Sequence, residues 1–128
     1  MLHVRIKVKM INRYNDYNSY LKGLFGQRVQ KISIDAGLGC PNRDGGISGS
    51  GCIYCDSKGS GSGAKVINGK SIEVQVLEGI EWAKKRYGAE KFIAYFQSYT
   101  NTNGPRDVLR DLYSRALSFD GIVGLSVG

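Results

Sequence analysis

Short apolar runs recur along this chain, and each is bounded by glycine, proline or other turn-forming residues. Runs rich in β-branched and aromatic residues predict strands at 29–36, Lys91–Phe96 and 121–127. The run at Lys91–Phe96 is nearly continuous in apolar residues, as is typical of a parallel strand buried on both faces. Residues 2–10 alternate apolar and basic residues, so we interpret 1–11 as an N-terminal extension or a peripheral strand.

Between these runs the apolar residues follow helical spacing and predict three helices. The first covers 15–25 and ends at Gly26, the second covers 71–87 with Ser71 as N-cap and Gly88 as terminator, and Pro105 opens the third at its first helical position. We expect their apolar stripes to face the core. The expected buried residues are Tyr17, Tyr20, Leu21, Leu24 and Phe25; Ile72, Val76, Leu77, Ile80 and Ala83; and Val108, Leu109, Leu112, Tyr113, Ala116 and Leu117.

The alternation of strands and helices indicates an α/β fold with parallel strands joined by crossover helices. A length of 128 residues is that of one ordinary domain, and 41% hydrophobic residues are enough for a packed core. No apolar run approaches the ~20 residues that a membrane-spanning helix needs. The net charge of +7 favours an anionic partner such as nucleic acid, and a basic surface without such a partner explains it equally well.

All three cysteines lie on one glycine-rich segment, with the spacing C-x11-C-x2-C at Cys40, Cys52 and Cys55. A close cysteine pair with no secretion signal indicates intracellular metal or redox chemistry, and we therefore expect a cytoplasmic protein. Three thiolates suit an iron–sulfur cluster with one iron left open, because structural zinc sites take four protein ligands.

Two alternatives remain open for these cysteines. A zinc-binding module, perhaps for nucleic acid, takes its fourth ligand from His3, Asp35, Asp56 or a partner chain. A thiol redox protein uses Cys52 and Cys55 alone, and this interpretation leaves Cys40 and the glycine-rich loop unexplained.

Polar residues follow the predicted strands where parallel strands carry ligand sites, at their carboxyl ends. Gln97, Ser98, Tyr99 and Asn101 come directly after the second strand. We interpret them as a binding loop, the alternative being a polar turn that bonds to its own backbone. Asp35 follows the first strand, either as a functional residue or as an acceptor for a loop amide.

Several longer motifs accompany the cysteines. They are 31–45 (KISIDAGLGCPNRDG), 59–64 (GSGSGA), 92–102 (FIAYFQSYTNT) and 122–127 (IVGLSV). Together with Tyr54 just before the last cysteine, they resemble a subfamily of radical SAM (S-adenosylmethionine) proteins that is distantly similar to the Elongator catalytic subunit. The resemblance covers roughly 12–128. It implies that these residues are the N-terminal half of a radical SAM domain, a partial (β/α)6 TIM-like barrel, truncated after the third strand.

The resemblance also implies a function. Cys40, Cys52 and Cys55 are expected to bind a 4Fe–4S cluster whose open iron binds SAM, and reductive cleavage of SAM is expected to give a 5′-deoxyadenosyl radical that abstracts hydrogen from a substrate. Tyr54 is expected near the adenine, and Gln97, Ser98, Tyr99 or Asn101 near the amino group.

The implied partners are an electron donor such as flavodoxin or ferredoxin and an unidentified substrate, with RNA as one candidate. The first cysteine gap is longer than the three residues common in the superfamily, a departure that the resembled subfamily shares. A second departure is that Gln97-Ser98-Tyr99 replaces a Gly-Gly-Glu-like motif.

Overall fold

The computed structural model describes residues 13–38, 70–97 and 100–128, and its elements follow the predicted order. These elements are α1 (Tyr17–Phe25), β1 (Val29–Ile34), α2 (Ile72–Tyr87), β2 (Lys91–Phe96), α3 (Arg106–Leu117) and β3 (Ile122–Val127). The strands form one parallel sheet in the order β1-β2-β3. The predicted α/β fold with parallel strands and crossover helices is therefore confirmed, whereas 1–11 lies outside the described residues.

The main core lies between the sheet and the helices α2 and α3, which cover the same face of it. Side chains alternate across a strand, so Ile34, Ala94 and Phe96 point to this face together. They pack against Ile72, Val76 and Ala116 from the two helices. Burying each large apolar side chain contributes about 1.5–3 kcal/mol, which makes this layer the main source of stability.

The other face of the sheet is covered at its amino-terminal end by α1. Leu21 and Phe25 of this helix pack against Val29, Ile93 and Val123, one residue from each strand. Because these residues all belong to the amino-terminal or middle part of their strands, the carboxyl-terminal part of the same face is left to other side chains.

Close approach between α2 and β1 depends on Gly79. An ideal Cβ built at this position would overlap Cγ2 of Ile32 and would lie 3.3 Å from its Cβ. The missing side chain therefore lets the helix backbone lie directly on the strand. This contact fixes α2 over β1, where it helps to position the segment that follows the strand.

The predicted helix caps Ser71, Gly26 and Gly88 are confirmed. Ser71 accepts from Val74 N, and Gly26 and Gly88 adopt left-handed φ of 74° and 62°, as expected. However, α1 begins at Tyr17 because the extended Asp16 is its N-cap and accepts from Ser19 N at 2.9 Å. The bonds from Ser19 also lower the pKa of Asp16 below its ordinary value.

Three other predicted boundaries are wrong by one or two residues, and one of them is the start of β3 at Ile122 and not at residue 121. Pro105 is the N-cap of α3 with an extended ψ of 138°, so the helix proper begins at Arg106. β1 ends at Ile34 and not at residue 36, because the amide of Asp35 bonds to Gln75 of α2.

The predicted buried stripes were too wide. In α1 only Leu21 is buried and Phe25 is half-buried, whereas Tyr17, Tyr20 and Leu24 are more than half exposed. Leu77, Val108 and Leu117 are likewise exposed on α2 and α3. The reason is geometric: each helix lies on one sheet face, so only a narrow arc of its surface is covered.

Candidate functional site

The carboxyl ends of the three strands lie in one row, as expected if the residues that follow them form one ligand site. Ile34, Phe96 and Val127 are paired across the sheet. Two backbone hydrogen bonds extend the pairing beyond this row: Gln97 N donates to Ile34 O at 3.1 Å, and Gly128 N donates to Phe96 O at 2.9 Å. The residues that leave β1 and β2 therefore start side by side.

The first residues after β1 are fixed by α2. Gln75 forms a reciprocal pair with the backbone of Asp35: its Oε1 accepts from Asp35 N and its Nε2 donates to Asp35 O, both at 2.8 Å. Gln75 Nε2 also donates to Lys70 O at 3.2 Å, at the entry to the helix. One side chain thus holds both described ends of the segment that carries the cysteines.

Asp35 itself holds the turn that follows. Its Oδ1 accepts from Gly37 N at 2.8 Å, and Gly37 has a φ of 70° that side-chain-bearing residues rarely adopt. The structural interpretation of Asp35, as an acceptor for a loop amide, is therefore confirmed. Cys40 follows in the sequence, two residues beyond the last described position.

The loop after β2 is held by Asn101, whose side chain is completely buried. Its Nδ2 donates to Phe96 O and to Gly128 O, both at 3.2 Å, and its backbone N donates to Gly128 O at 3.1 Å. Asn101 therefore ties the ends of β2 and β3 together beneath the loop. As a ligand for SAM it stays a prediction, but its amide nitrogen is committed to the protein backbone.

Tyr113 of α3 supports this loop from below. Its hydroxyl donates to the backbone oxygen of Asn101, and its ring packs edge-on against Phe96 with 5.2 Å between centroids. Burial raises the pKa of the Tyr113 phenol above its ordinary value. Gln97, the first residue of the loop, is half-buried, with its Oε1 close to the backbone of Gly128.

Several predicted site residues lie outside the described residues. They are the metal ligands Cys40, Cys52 and Cys55, the cofactor residues Tyr54, Ser98 and Tyr99, and the alternative zinc ligands His3 and Asp56. Within 13–38, 70–97 and 100–128, no group of three or more His, Cys, Asp or Glu side chains could hold a metal ion. In the same ranges, no helix is both long and apolar enough to cross a membrane.

The sequence patterns did not identify two residues that hold the segments after β1 and β2 in place. Gln75 is a polar residue beside the apolar stripe of a helix, between Ile72 and Val76, and that position was its available signal. Tyr113 was predicted to be buried, but its hydroxyl required a partner that the pattern did not identify.

Comparison with known proteins finds relatives that are longer than this chain. The chain is 37% identical over 115 residues to the uncharacterised protein YtqA of Bacillus subtilis. The aligned region covers 90% of this chain and 35% of YtqA. It is 36% identical over 114 residues to protein YhcC of Escherichia coli, and 35% identical over 116 residues to an uncharacterised protein of Methanocaldococcus jannaschii.

The chain spans about a third of the length of these relatives. No protein-family model matches it, and no solved structure does.

Proposed function

We propose that this chain belongs to a radical SAM protein in which Cys40, Cys52 and Cys55 bind a 4Fe–4S cluster and its open iron binds S-adenosylmethionine. The observation that carries the proposal is the C-x11-C-x2-C segment leaving the carboxyl end of β1 in a parallel sheet. When bound, the cluster supplies a low-potential electron that cleaves SAM and leads to hydrogen abstraction from a substrate.

The donor set fits a cluster better than it fits a closed metal site. Three thiolates provide one ligand for each of three irons and leave the fourth iron for a small molecule. The described flanks of the segment support this fit, since Gln75 holds Asp35 and Lys70 together and so brings the two ends of the cysteine segment to one place.

The residues after β2 are proposed to hold the methionine part of SAM. Gln97 starts next to the end of β1 through its backbone bond to Ile34 O, and its Oε1 lies near the backbone of Gly128 at the carboxyl edge of the sheet. We assign the amino group of SAM to Gln97, with Ser98 and Tyr99 beside it, and the adenine to the neighbourhood of Tyr54. Asn101 then serves as a positioning residue, because its amide holds the loop to β2 and β3.

The winding of the sheet is compatible with the expected half barrel. The order is sequential, and α2 and α3 pack on the same face. A (β/α) barrel places its crossover helices outside and its catalytic groups at the carboxyl ends of its strands. The first three strands of a doubly wound sheet have the same sequential order and the same one-sided helices, so the resemblance in sequence decides between the two in this proposal.

Metal analysis of single-site variants tests the cysteine assignment. After anaerobic reconstitution the chain is expected to bind iron and sulfide in equal amounts, and Cys40→Ser, Cys52→Ser and Cys55→Ser are each expected to lose most of both. Asp56→Asn is the control, because the proposed cluster takes its ligands from three thiolates and SAM and none from the Asp56 carboxylate. One zinc without sulfide, lost on Asp56→Asn, would overturn the proposal in favour of the zinc-binding module.

A further inference from the structure

Helix α1 covers the amino-terminal half of one sheet face, and the carboxyl-terminal half of the same face is polar. Its members, which we call the open half-face, are Lys31 and Ser33 of β1, Tyr95 of β2 and Ser126 of β3. Ser33, Tyr95 and Ser126 form a single row across the three strands, one residue before the carboxyl edge. Neighbouring strands lie about 4.8 Å apart, so this row is about 10 Å wide.

This polarity is unusual for a parallel sheet. Parallel sheets are normally covered on both faces, and their strands read as near-continuous apolar runs. The opposite face meets that rule with Ile32, Ile34, Ala94 and Phe96, all buried. The open half-face instead carries an ammonium group and three hydroxyls, which would be costly beneath an apolar layer without partners.

The polar side-chain groups on this half-face make no hydrogen bond or ion pair within the described part of the chain. Among the described residues, the hydroxyls of Ser33, Tyr95 and Ser126 have no hydrogen-bond partner, and Lys31 has no ion-pair partner. Ser33, Tyr95 and Ser126 are half-buried, so each hydroxyl is partly removed from water.

Lys31 and Tyr95 are already oriented with respect to each other. The ammonium of Lys31 lies over the Tyr95 ring, 4.2 Å from its centroid. The Tyr95 hydroxyl reaches the carboxyl edge, because an ideal Cβ built at Gly128 would lie 3.5 Å from it. The ammonium of Lys31 is therefore held beside the row of hydroxyls, where it can bind an oxyanion.

We propose that the open half-face binds an anionic group, a carboxylate or a phosphate, through Lys31 and the hydroxyls of Ser33, Tyr95 and Ser126. Naming this group as part of the substrate rests on the proposed function, which places the reaction at the adjoining carboxyl edge. The binding itself requires neither iron nor SAM. On the same face, Lys91 is the other described cation, and its ammonium donates to Phe25 O at 3.3 Å, near the amino-terminal end.

Titration of the metal-free full chain with inorganic phosphate and with acetate tests this site, with sodium chloride as the ionic-strength control. We expect saturable shifts of the Ser33, Tyr95 and Ser126 amide signals in two-dimensional NMR with at least one of the two anions. A response to phosphate alone assigns a phosphate, and a response to acetate alone assigns a carboxylate.

Lys31→Met is expected to weaken this binding about tenfold or more, since hydrogen bonds to charged groups are the strong ones. Lys91→Met is the matched control: it removes the same charge from the same face and should leave the affinity within about twofold. If Lys31→Met perturbs folding, Tyr95→Phe combined with Ser126→Ala removes two donors, keeps the ring beneath Lys31, and is expected to weaken binding to a similar degree.

If Lys31→Met and Lys91→Met weakened anion binding equally, the proposed site would be overturned, because the loss of affinity would then follow from the lower net charge alone. Shifts that increase linearly with either anion, as with chloride, would overturn it as well. Both results are independent of cluster assembly, so failure of the anion site and failure of the proposed radical chemistry are distinguished by this titration and by the metal analysis.

Discussion

At the scale of single residues, the glycines show how far the effect of one side chain depends on its surroundings. Gly23 and Gly79 both lie inside helices, where glycine costs about 0.5–1 kcal/mol relative to alanine. A Cβ at Gly23 would meet nothing within 4 Å, whereas a Cβ at Gly79 would overlap Ile32. The same substitution should therefore have opposite effects at the two positions.

Gly23→Ala is expected to raise the free energy of unfolding by about 0.5–1 kcal/mol. Gly79→Ala is expected to lower it by about 1–3 kcal/mol, because α2 must move away from β1 to admit the methyl group. Urea unfolding of the two variants beside the wild type measures both effects. A stabilising Gly79→Ala would contradict the close contact between helix and strand.

Asn101 supports the loop after β2 with a buried side-chain amide. Asn101→Ala removes two side-chain bonds to the ends of β2 and β3 and leaves a cavity, so we expect a loss of about 1–3 kcal/mol of stability. Thr102→Ala, at the exposed neighbouring position, is the control and should change stability by less than about 0.5 kcal/mol. Equal stabilities of the two variants in urea unfolding would argue against the buried amide as the support of the loop.

At the scale of elements, α2 and α3 are joined by an ion pair above the core. Arg115 of α3 binds Glu73 of α2 with two bonds, Nε to Oε1 at 2.5 Å and Nη2 to Oε2 at 2.7 Å, and it also contacts Asp111 at 3.3 Å. The bidentate bond to Arg115 lowers the pKa of Glu73 from 4.5 to about 2. It also raises the pKa of the Arg115 guanidinium above its ordinary value.

This pair predicts a pH dependence of stability with a definite sign. A carboxyl whose pKa is lower in the folded state binds protons more readily when unfolded, so its contribution is present above pH 4.5 and is lost as the pH falls toward about 2. The stability difference between wild type and Glu73→Gln should therefore shrink over that interval. Because both side chains are partly exposed, the effect is expected to be modest and to weaken further with salt.

Thermal unfolding across this pH range measures the effect, with Glu81→Gln as the control. Glu81 is an exposed carboxylate of α2 that has no ion-pair partner among the described residues. A difference between wild type and Glu73→Gln that stays constant with pH would contradict the role of the ion pair.

The sequence predicted the elements better than it predicted what each one buries. Caps such as Ser71, Gly26 and Gly88 are local signals, so the helix ends were readable from a few adjacent residues. The exposure of Tyr20 and Leu24 was not readable, because it depends on how much of α1 the sheet covers. The support of the site by Gln75, 40 residues from Asp35 in sequence, depends on the crossover in the same way.

At the scale of the whole molecule, the parallel sheet brings two chemically different regions to one edge. The segment with the three cysteines leaves β1 there, and the loop of Gln97 and Asn101 leaves β2 beside it. The open half-face lies one residue below this edge, so a substrate bound on it would lie close to the proposed cofactor. This arrangement follows from strand order and register, which the alternation of elements alone does not give.

We propose that an iron–sulfur cluster at this edge binds SAM through its open iron. The most direct test is electron paramagnetic resonance of the reconstituted, dithionite-reduced chain with and without SAM. We expect a reduced 4Fe–4S signal whose shape changes when SAM is added. A cluster signal that does not change when SAM is added, or a chain that holds zinc and assembles no cluster, would contradict this proposal.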